Sequence, residues 1–388
     1  MLKYWLWLTT RKGLGHRGAF LAAQHFPSAE AAYYAEEEDY AAIPGLRNYK
    51  SLLDKDLTLP QQILNKCYEK GIGILTFQDA AYPVRLKNID DPPLVLYYRG
   101  TLPDFNGPAV AVVGTRKASA YGLVHARSMG YGLSKCGCIV VSGGARGNDT
   151  MALTGALTGG TPAVAVLGCG VDVVYPPENK GLFDDLCHYG CLLSEYPPGT
   201  EALPGHFPVR NRIITGLSLG VLVVEANERS GSMISARHAL EQGRDVFAIP
   251  AGIDTPGFAG NLRLLRDGAI LVRDAWDILE EYVHLYPEQL HRSACKQLPL
   301  QETKSVSAPV VSNQMRQDLK LEERFSKLSQ EERTIAETLK DGPKHIDLIV
   351  EEVQIPISQA LSTLTMLEIS GMVKRLQGRR FCLSEENP

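Results

Sequence analysis

The chain has 388 residues, 44% of them hydrophobic, and a formal net charge of −4 at pH 7. This length exceeds that of a typical single domain, so two or three domains are expected. The charge excludes a protein that holds nucleic acid or a membrane surface by overall basicity, so any anion site must come from local clustering of cations. No run reaches about 18 apolar residues, so no membrane-spanning segment is predicted.

The eight cysteines show no paired spacing framework, and no secretory signal precedes them. This pattern is typical of reduced thiols in a cytoplasmic protein. Cys136 and Cys138 lie close together, but structural zinc needs four ligands and no second pair follows. We therefore predict a cytoplasmic protein without a metal site and without a cofactor.

Residues 1–105 are predicted to form a small helical domain with short strands, of the SAM or helix-hairpin-helix type. Apolar residues recur at helical spacing in Gly18–Phe26 and Ser28–Tyr34. Glycine turns at 13–15 and 43–46 fit a helix-hairpin-helix module, in which backbone amides meet a phosphate, and a plain helical bundle fits equally well. The further elements predicted here are a helix over Lys50–Cys67 and strands over Gly73–Phe77 and Leu94–Tyr98.

Residues 106–290 alternate between apolar strands and helices, which predicts an α/β domain with a parallel sheet. The strands are continuous apolar runs, as expected when helices cover both faces of the sheet. The predicted strands are Ala109–Val113, Cys138–Val141, Ala163–Leu167, Leu192–Ser194, Val221–Val224 and Val246–Ile249.

The residues that follow these strands are rich in glycine and arginine. Ligands of open α/β sheets bind at the carboxyl edge, where glycines let backbone amides approach a phosphate. Arg116 and Arg146 follow two of the strands, and Arg210, Arg212 and Arg229 are predicted to reach the same edge. Five arginines at one rim favour an anion groove over a solvated face.

An aromatic residue stands beside these cations in the segment Leu203–Gln242. Phe207 precedes Arg210, Asn211 and Arg212, and a small polar turn follows at Ser230, Gly231 and Ser232. Bases stack on aromatic faces for about 1–3 kcal/mol each, and arginine matches phosphate oxygens in a bidentate way. The segment therefore predicts an extended anionic ligand that carries flat rings.

The common catalytic and nucleotide-binding motifs are absent from the strand ends where they would act. The loop after the first predicted core strand, Gly114–Gly122, has no GxGxxG dinucleotide fingerprint, and Ser142 after the second does not stand in a GxSxG elbow, because Val140 precedes it where glycine is needed. The chain has no GxxxxGK[ST] loop. Asp149 is expected to cap a helix or to hold an arginine, and Asp172 and Glu195 are expected to be caps or arginine partners. We therefore predict that the protein is not an enzyme.

Residues 291–328 have the composition of a linker, and residues 329–388 are predicted to form a winged-helix-like domain. Two short helices precede an amphipathic helix over Ser358–Ser370. That helix lacks Lys and Arg, which a helix that recognises bases in the major groove normally contains. The basic residues belong to the predicted wing, at Lys374, Arg375, Arg379 and Arg380. Contact with a nucleic-acid backbone, contact with a protein and a packing role remain alternatives.

The central blocks resemble the DNA-processing protein A family (DprA/Smf), over roughly Tyr82–Leu279. The motifs that carry this resemblance are Val112–Arg116 with Ser119 and Gly122, Ser142–Gly147 with Asp149, Gly170–Asp172 with Tyr175 and Pro176, Ser194 with Glu195, Phe207–Arg212, Ser230–Ser232, and Gly268 with Ala269. Leu153 departs from the family, where a histidine is common, and this fits a binding protein better than a hydrolase.

The resemblance implies an extended Rossmann-like core that dimerises, binds single-stranded DNA and passes it to the RecA recombinase. In these terms Arg116 and Arg146 would contact phosphates, Phe207 would stack on a base, and Arg210 and Arg212 would form the groove wall. The full set of implied DNA contacts is Gly114, Arg116, Ser142, Gly143, Arg146, Phe207, Arg210, Asn211, Arg212, Arg229, Ser230, Gly231 and Ser232.

The leading functional prediction is therefore a sequence-tolerant single-stranded DNA binder that protects incoming strands and loads RecA during natural transformation and recombination. The alternative is a nucleotide-binding protein or a nucleotide N-glycoside hydrolase of a related fold. Such a hydrolase carries a Pro-Gly-Gly-x-Gly-Thr turn. The corresponding turn here, Glu228–Met233, lacks the glycine run.

Overall fold

The structure, a computed structural model, describes residues 1–292, 330–339, 344–353, 355–370, 372–376 and 380–383. The chain divides into two compact units, Met1–Val306 and Ser307–Pro388. The predicted linker lies outside the described residues from residue 293 onwards.

The first unit begins with short helices. They are α1 (Leu2–Thr10), α2 (Gly15–His25), α3 (Ala29–Tyr34), α4 (Glu37–Ala41), a 3₁₀ turn (Tyr49–Leu53) and α5 (Thr58–Glu69). The two helices predicted from apolar spacing are confirmed as α2 and α3. The glycine turns are also present, since Gly13, Gly15 and Gly45 adopt positive φ angles of 77°, 69° and 76°, which side chains other than glycine rarely tolerate.

The single helix predicted over Lys50–Cys67 is wrong. Two aspartates turn the chain between the 3₁₀ turn and α5. The Asp54 carboxylate accepts a hydrogen bond from the Asp56 amide at 3.0 Å, and the Asp56 carboxylate accepts one from the Thr58 amide at 2.9 Å. Such local side-chain bonds replace helical ones, so the helix restarts at Thr58.

The centre of the first unit is a sheet in the order β1-β2-β6-β5-β4-β3-β7-β8-β9. Its strands are β1 (Gly73–Thr76), β2 (Val95–Gly100), β3 (Ala109–Val113), β4 (Ile139–Ser142), β5 (Ala163–Val166), β6 (Cys191–Ser194), β7 (Gly220–Val223), β8 (Asp245–Ala248) and β9 (Ile270–Leu271). The six predicted core strands are all present, within one residue at each end.

Strands β1 and β2 extend this sheet. They pair antiparallel with each other, and β2 pairs antiparallel with β6, whereas the strands from β6 to β9 are parallel. The segment 73–100, which the sequence prediction assigned to the N-terminal domain, therefore contributes two strands to the central sheet. The two short strands were predicted, but their attachment to the core was not.

Helices cover both faces of the sheet. They are α6 (Val84–Lys87), α7 (Ala120–Lys135), α8 (Asn148–Gly159), α9 (Lys180–Tyr189), α10 (His206–Gly216), α11 (Gly231–Glu241), α12 (Ala259–Arg266) and α13 (Trp276–Leu279). Alternate residues of β3 enter opposite cores. Val110 packs with α7 and α8 residues such as Leu133, whereas Ala111 packs with α10 and α11 residues such as Ile213. This two-sided burial explains the continuous apolar runs.

Strand β3 marks the point where the strand order reverses. From β3 the chain moves outward through β4, β5 and β6, then returns to place β7 on the other side of β3. The connections that follow β3 and β7 therefore lead away in opposite directions, and a crevice opens between them at the carboxyl edge. In open α/β folds this crevice is where ligands bind.

The second unit contains α14 (Gln330–Thr338), α15 (Ile346–Val353) and α16 (Ile357–Ile369), with strands β10 (Lys344–His345), β11 (Val373–Leu376) and β12 (Arg380–Leu383). The strands pair antiparallel in the order β10-β12-β11. Ile349, Leu364 and Phe381 share its core. This is the winged-helix-like arrangement that the sequence predicts. Lys374 and Arg380 are exposed, whereas Arg379 and the side chain of Arg375 lie outside the described residues.

Candidate functional site

The loop after β3 is braced from across the crevice by Glu225, which follows β7. The buried Glu225 carboxylate accepts hydrogen bonds from the Ser119 amide at 2.9 Å and the Ser119 hydroxyl at 3.0 Å. The backbone carbonyl of Glu225 accepts another from the Thr115 amide at 2.8 Å. Gly114 lies directly on Asn148 and has no room for a side chain. The loop is therefore held at both ends, while Arg116 between them is exposed.

The loop after β4 is organised by buried polar groups. The Ser142 hydroxyl is buried and donates to the Val112 carbonyl at 2.6 Å. The Asp149 carboxylate accepts from the Gly143 amide at 3.2 Å and the Ala145 amide at 3.4 Å. Arg210 approaches from α10 and donates to the Gly143 carbonyl at 2.6 Å. Ser142 therefore stabilises the sheet edge. It does not face the crevice, where the sequence prediction had placed it among the DNA contacts.

Gly143 separates Asp149 from Arg210. A side-chain carbon added at Gly143 would lie 2.6 Å from the Asp149 Oδ2 and 2.7 Å from the Arg210 Nη2. Burial raises the pKa of Asp149 to about 6, against the opposing pull of Arg210 and the loop amides. Burial likewise lowers the pKa of Arg210 to about 10. Asp149 makes no cap bond within α8, so its role is to hold the β4 loop beside the arginine.

Arg210 and Arg212 do not lie on the exposed rim where the sequence prediction placed them. Arg210 is 3% exposed, because its guanidinium binds the carbonyls of Gly143 and Val166 beneath the loops. Arg212 forms a bidentate pair with the Glu195 carboxylate at 2.9 Å and 2.7 Å and also contacts Asp91 at 3.3 Å. Both arginines stabilise the edge from below. Glu195 is an arginine partner, as expected.

Above these buried arginines the edge is centred on Phe207, a half-buried residue in the first turn of α10. The Arg116 guanidinium carbon lies 5.0 Å from the Phe207 ring centroid. The Tyr175 ring lies 5.5 Å away on another side, tilted by 37°. Gly168 supports the ring, because a side chain there would meet Phe207 at 3.0 Å. This contact between cation and ring is of the cation–π type.

These groups line an open pocket at the carboxyl ends of β3, β4 and β5. Its lining residues are Arg116, Gly143, Gly144, Ala145, Arg146, Leu167, Gly168, Cys169, Tyr175, Pro176 and Phe207. Arg146 stands at the rim and forms an ion pair with Glu178 at 2.7 Å, with both side chains about half exposed, at 55% and 48%. The pocket thus contains two cations and two aromatic rings. Arg146 is paired with Glu178, whereas Arg116 has no carboxylate partner in the described part of the chain, and the rings are those of Tyr175 and Phe207.

The turn at residues 229–232 lies next to α10. The Asn211 side chain donates to the Gly231 carbonyl at 3.4 Å. The Ser230 hydroxyl caps α11 through the Ser232 amide, and Ser232 is buried. Arg229 is exposed on this turn. The structure therefore brings the turn to the same edge, with its serines engaged in the helix cap.

Sequence reasoning missed several residues that shape this edge. Tyr175 stood in a recognised motif but was not assigned to the site, and the distant partners Glu178 and Asp91 gave no local signal. Glu225 had a signal, since a carboxylate directly after a buried strand is unusual, but its partner Ser119 is 106 residues away. Such pairings depend on the tertiary fold.

Among the residues that the structure describes, no three His, Cys, Asp or Glu side chains group as metal ligands. The same residues include no helix that is long and apolar enough to cross a membrane.

Comparison with known proteins matches both units. Residues 73–283 match the family described as DNA recombination-mediator protein A, and residues 324–379 match the DprA winged helix domain. Protein Smf of Synechocystis is 33% identical over 390 residues, covering 97% of this chain and 98% of that protein. DNA processing protein DprA of Streptococcus pneumoniae is 41% identical over 244 residues, covering 63% of this chain and 86% of that protein.

Two solved structures agree with these matches. The X-ray structure of DNA processing protein A from Streptococcus pneumoniae has a TM-score of 0.66 at 37% identity, covering 72% of this chain and 98% of that one. DNA processing protein A from Helicobacter pylori, a structure solved to explain its single-stranded DNA binding mode, has a TM-score of 0.51 at 29% identity. It covers 55% of this chain and 97% of that one.

Proposed function

The chain belongs to the family of DNA recombination-mediator protein A, and on that premise we propose that it binds single-stranded DNA without sequence preference. The bound strand is protected and then passed to the RecA recombinase during transformation and recombination. The Helicobacter pylori relative, whose single-stranded DNA binding mode has been described, supports this ligand.

The observation that carries the proposal is the contact between the half-buried Phe207 ring and the exposed Arg116 guanidinium at the carboxyl edge. An aromatic ring stacks on any base because every base has a flat face, and an unpaired guanidinium binds the neighbouring phosphate. The ring is fixed in place by Gly168 and Tyr175. Together these groups recognise a flexible strand by its general chemistry and not by its sequence.

The predicted contact residues fall into two groups under this proposal. Four of them are placed to touch the strand, namely Arg116, Arg146, Phe207 and Arg229. The others shape the surface around these contacts, namely Gly114, Ser142, Gly143, Arg210, Asn211, Arg212, Ser230, Gly231 and Ser232. Among the arginines this assignment follows from exposure, since a buried arginine with protein carbonyls or carboxylates as partners is not available to a phosphate.

The chemistry of the pocket supports binding over catalysis. Burial raises the pKa of the Cys169 thiol to about 11, so this lining residue is neutral at pH 7 and a poor nucleophile. The Ser142 hydroxyl donates to a backbone carbonyl, and Asp149 is turned toward the loop amides. We therefore propose a binding protein that is not an enzyme.

The partners of this activity are part of the proposal. The family resemblance supports a homodimer in the cytoplasm that delivers its strand to RecA. Light scattering of the purified chain measures the oligomeric state. RecA filament formation on a strand already covered by single-strand-binding protein, with and without this chain, measures loading.

Fluorescence anisotropy tests the binding step. A labelled single strand, a duplex of the same length and a set of mixed sequences are titrated over a salt series, with a mononucleotide as competitor. We expect salt-sensitive binding that prefers the single strand and is indifferent to sequence. Equal binding of duplex, or displacement of the strand by micromolar mononucleotide, contradicts the proposal and favours a small-nucleotide site.

A further inference from the structure

The N-terminal helices carry a basic surface that the pocket does not include. Lys12, His16 and Arg17 flank the glycine turn that leads into α2, Arg47 lies on the loop after Ile43, and Lys50 lies in the 3₁₀ turn that follows this loop. All five side chains are exposed. Among the described residues, Lys12, Arg17, Arg47 and Lys50 form no ion pair, and His16 reaches one carboxylate, Glu195. We call these five residues the basic turn.

Two contacts hold the two segments of the basic turn together. The Asn48 side chain donates to the Gly13 carbonyl at 2.9 Å. Leu14 and Leu46 both pack against Gly18, where an added side-chain carbon would lie 3.0 Å and 3.5 Å from them. The cations of both segments therefore belong to one surface, although the Asn48–Gly13 bond joins residues 35 positions apart.

Arg11 stands beside the basic turn in sequence but is not part of it. Its side chain is 7% exposed and lies 2.8 Å from the Asp54 carboxylate. It also donates to the carbonyl of Trp7 at 3.2 Å. Arg11 therefore stabilises the helices, whereas its neighbours Lys12 and Arg17 present their charge to solvent.

A chain of contacts connects the basic turn with the Phe207 pocket. The His16 Nδ1 lies 3.4 Å from the Glu195 carboxylate. Tyr196, the next residue, stacks on His206 with ring centroids 4.1 Å apart and an interplanar angle of 18°. His206 precedes Phe207 at the start of α10. His206 and Tyr196 thus form a short half-buried aromatic path beside the pocket, and the buried Glu195 side chain links its end to His16.

We propose that a single strand bound at Phe207 continues over the His206 and Tyr196 rings onto the basic turn, where Lys12, Arg17 and Arg47 contact its phosphates. This inference rests on the proposed function and adds a second contact surface for the same strand. Many charged surfaces contact only water and bind no ligand. Two features distinguish this one: Lys12, Arg17 and Arg47 lack carboxylate partners in the described part of the chain, and the His206 and Tyr196 rings lie between Phe207 and the contact with His16.

Strand length separates the two surfaces experimentally. The full chain and its Lys12→Ala/Arg17→Ala/Arg47→Ala variant are titrated with labelled oligonucleotides of about 5 and about 20 nucleotides, lengths that bracket a single contact surface. We expect the variant to bind the long strand about tenfold more weakly, with a salt slope lower by about 2, because each lost phosphate contact removes about 0.7 from the slope. Binding of the short strand stays unchanged.

Two control variants keep this result interpretable. Lys135→Ala removes an exposed lysine from the last turn of α7, at the opposite end of the strands, and leaves binding of both lengths unchanged. Phe207→Ala weakens both lengths if the proposed function holds. A triple variant that binds the long strand with wild-type affinity and wild-type salt slope overturns the inference, whatever the effect of Phe207→Ala. If Phe207→Ala leaves the affinity for both oligonucleotides unchanged, that result contradicts the proposed function and not this inference.

Discussion

The buried and the exposed layers of the sheet edge use the same residue type for different purposes. Arg210 and Arg212 lie beneath the loops, 3% and 6% exposed, and bind carbonyls and carboxylates of the protein. Arg116 lies above them, exposed and over an aromatic ring. A guanidinium that is already paired inside the protein holds the fold, whereas an unpaired one at the surface is available to a ligand. Substitutions in the buried layer should therefore change stability, and substitutions in the exposed layer should change strand binding.

Arg212→Ala is expected to lower the free energy of unfolding by about 3–5 kcal/mol. The substitution leaves the Glu195 carboxylate buried without its partner, and removing one member of a buried pair costs about that much. Urea denaturation followed by circular dichroism measures the change. The double variant Arg212→Met/Glu195→Leu removes both charges and is expected to recover most of the loss. A double variant as unstable as the single one would argue that the pair is not the cause.

Asp149 is expected to give the buried layer a pH dependence. Its folded pKa of about 6 lies above the ordinary value of 3.8, so the folded state binds more protons than the unfolded state between these values. The free energy of unfolding therefore falls as pH rises from about 4 to about 6, by on the order of 2–3 kcal/mol from this group.

Denaturation of wild type and Asp149→Asn across pH 4–7 isolates this contribution, because the other carboxylates are common to both proteins. The stability of the wild type relative to the variant should decrease as pH rises. A constant difference across that range would show that the Asp149 pKa is not raised.

Phe207→Ala is expected to weaken single-strand binding by about 1–3 kcal/mol, the value of one stacked base. Anisotropy titration at fixed salt measures it. Phe207→Tyr keeps the ring and should retain binding, whereas Phe207→Leu keeps apolar bulk without a flat face and should behave like alanine. Full binding by Phe207→Leu would mean that the side chain fills space and does not stack.

Glu178→Gln is expected to strengthen strand binding slightly, which is the smallest effect of these substitutions. The substitution releases Arg146 from its exposed ion pair, and such solvent-screened pairs contribute little. The matched control Glu30→Gln removes an exposed carboxylate from α3 and should leave binding unchanged. Equal gains from both variants would indicate a general charge effect.

The sequence predicts the fold of the core because its signals are local. The six parallel strands are continuous apolar runs, and glycines mark the turns that follow them. The helix predicted over Lys50–Cys67 failed because Asp54 and Asp56 bind backbone amides and turn the chain. The pairing of β2 with β6 joins residues about 95 positions apart, and no local pattern reports such a distance.

The sequence identifies the edge of the sheet but does not divide its arginines into layers. Arg116 and Arg212 differ only through partners that the fold brings to them. Asp91 lies 121 residues from Arg212, and Glu195 lies on the preceding strand end. Phe207 was predicted from sequence because an aromatic beside arginines is informative without knowledge of the fold, and it lines the pocket at the sheet edge.

The most direct test of the exposed layer is the salt dependence of single-strand binding by Arg116→Ala, with urea denaturation of the same preparation. We expect weaker binding, a salt slope lower by about 0.7 for one lost phosphate contact, and an unfolding midpoint close to that of the wild type. A folded variant with the wild-type affinity and slope would contradict the proposal that Arg116 and Phe207 form the strand-binding surface.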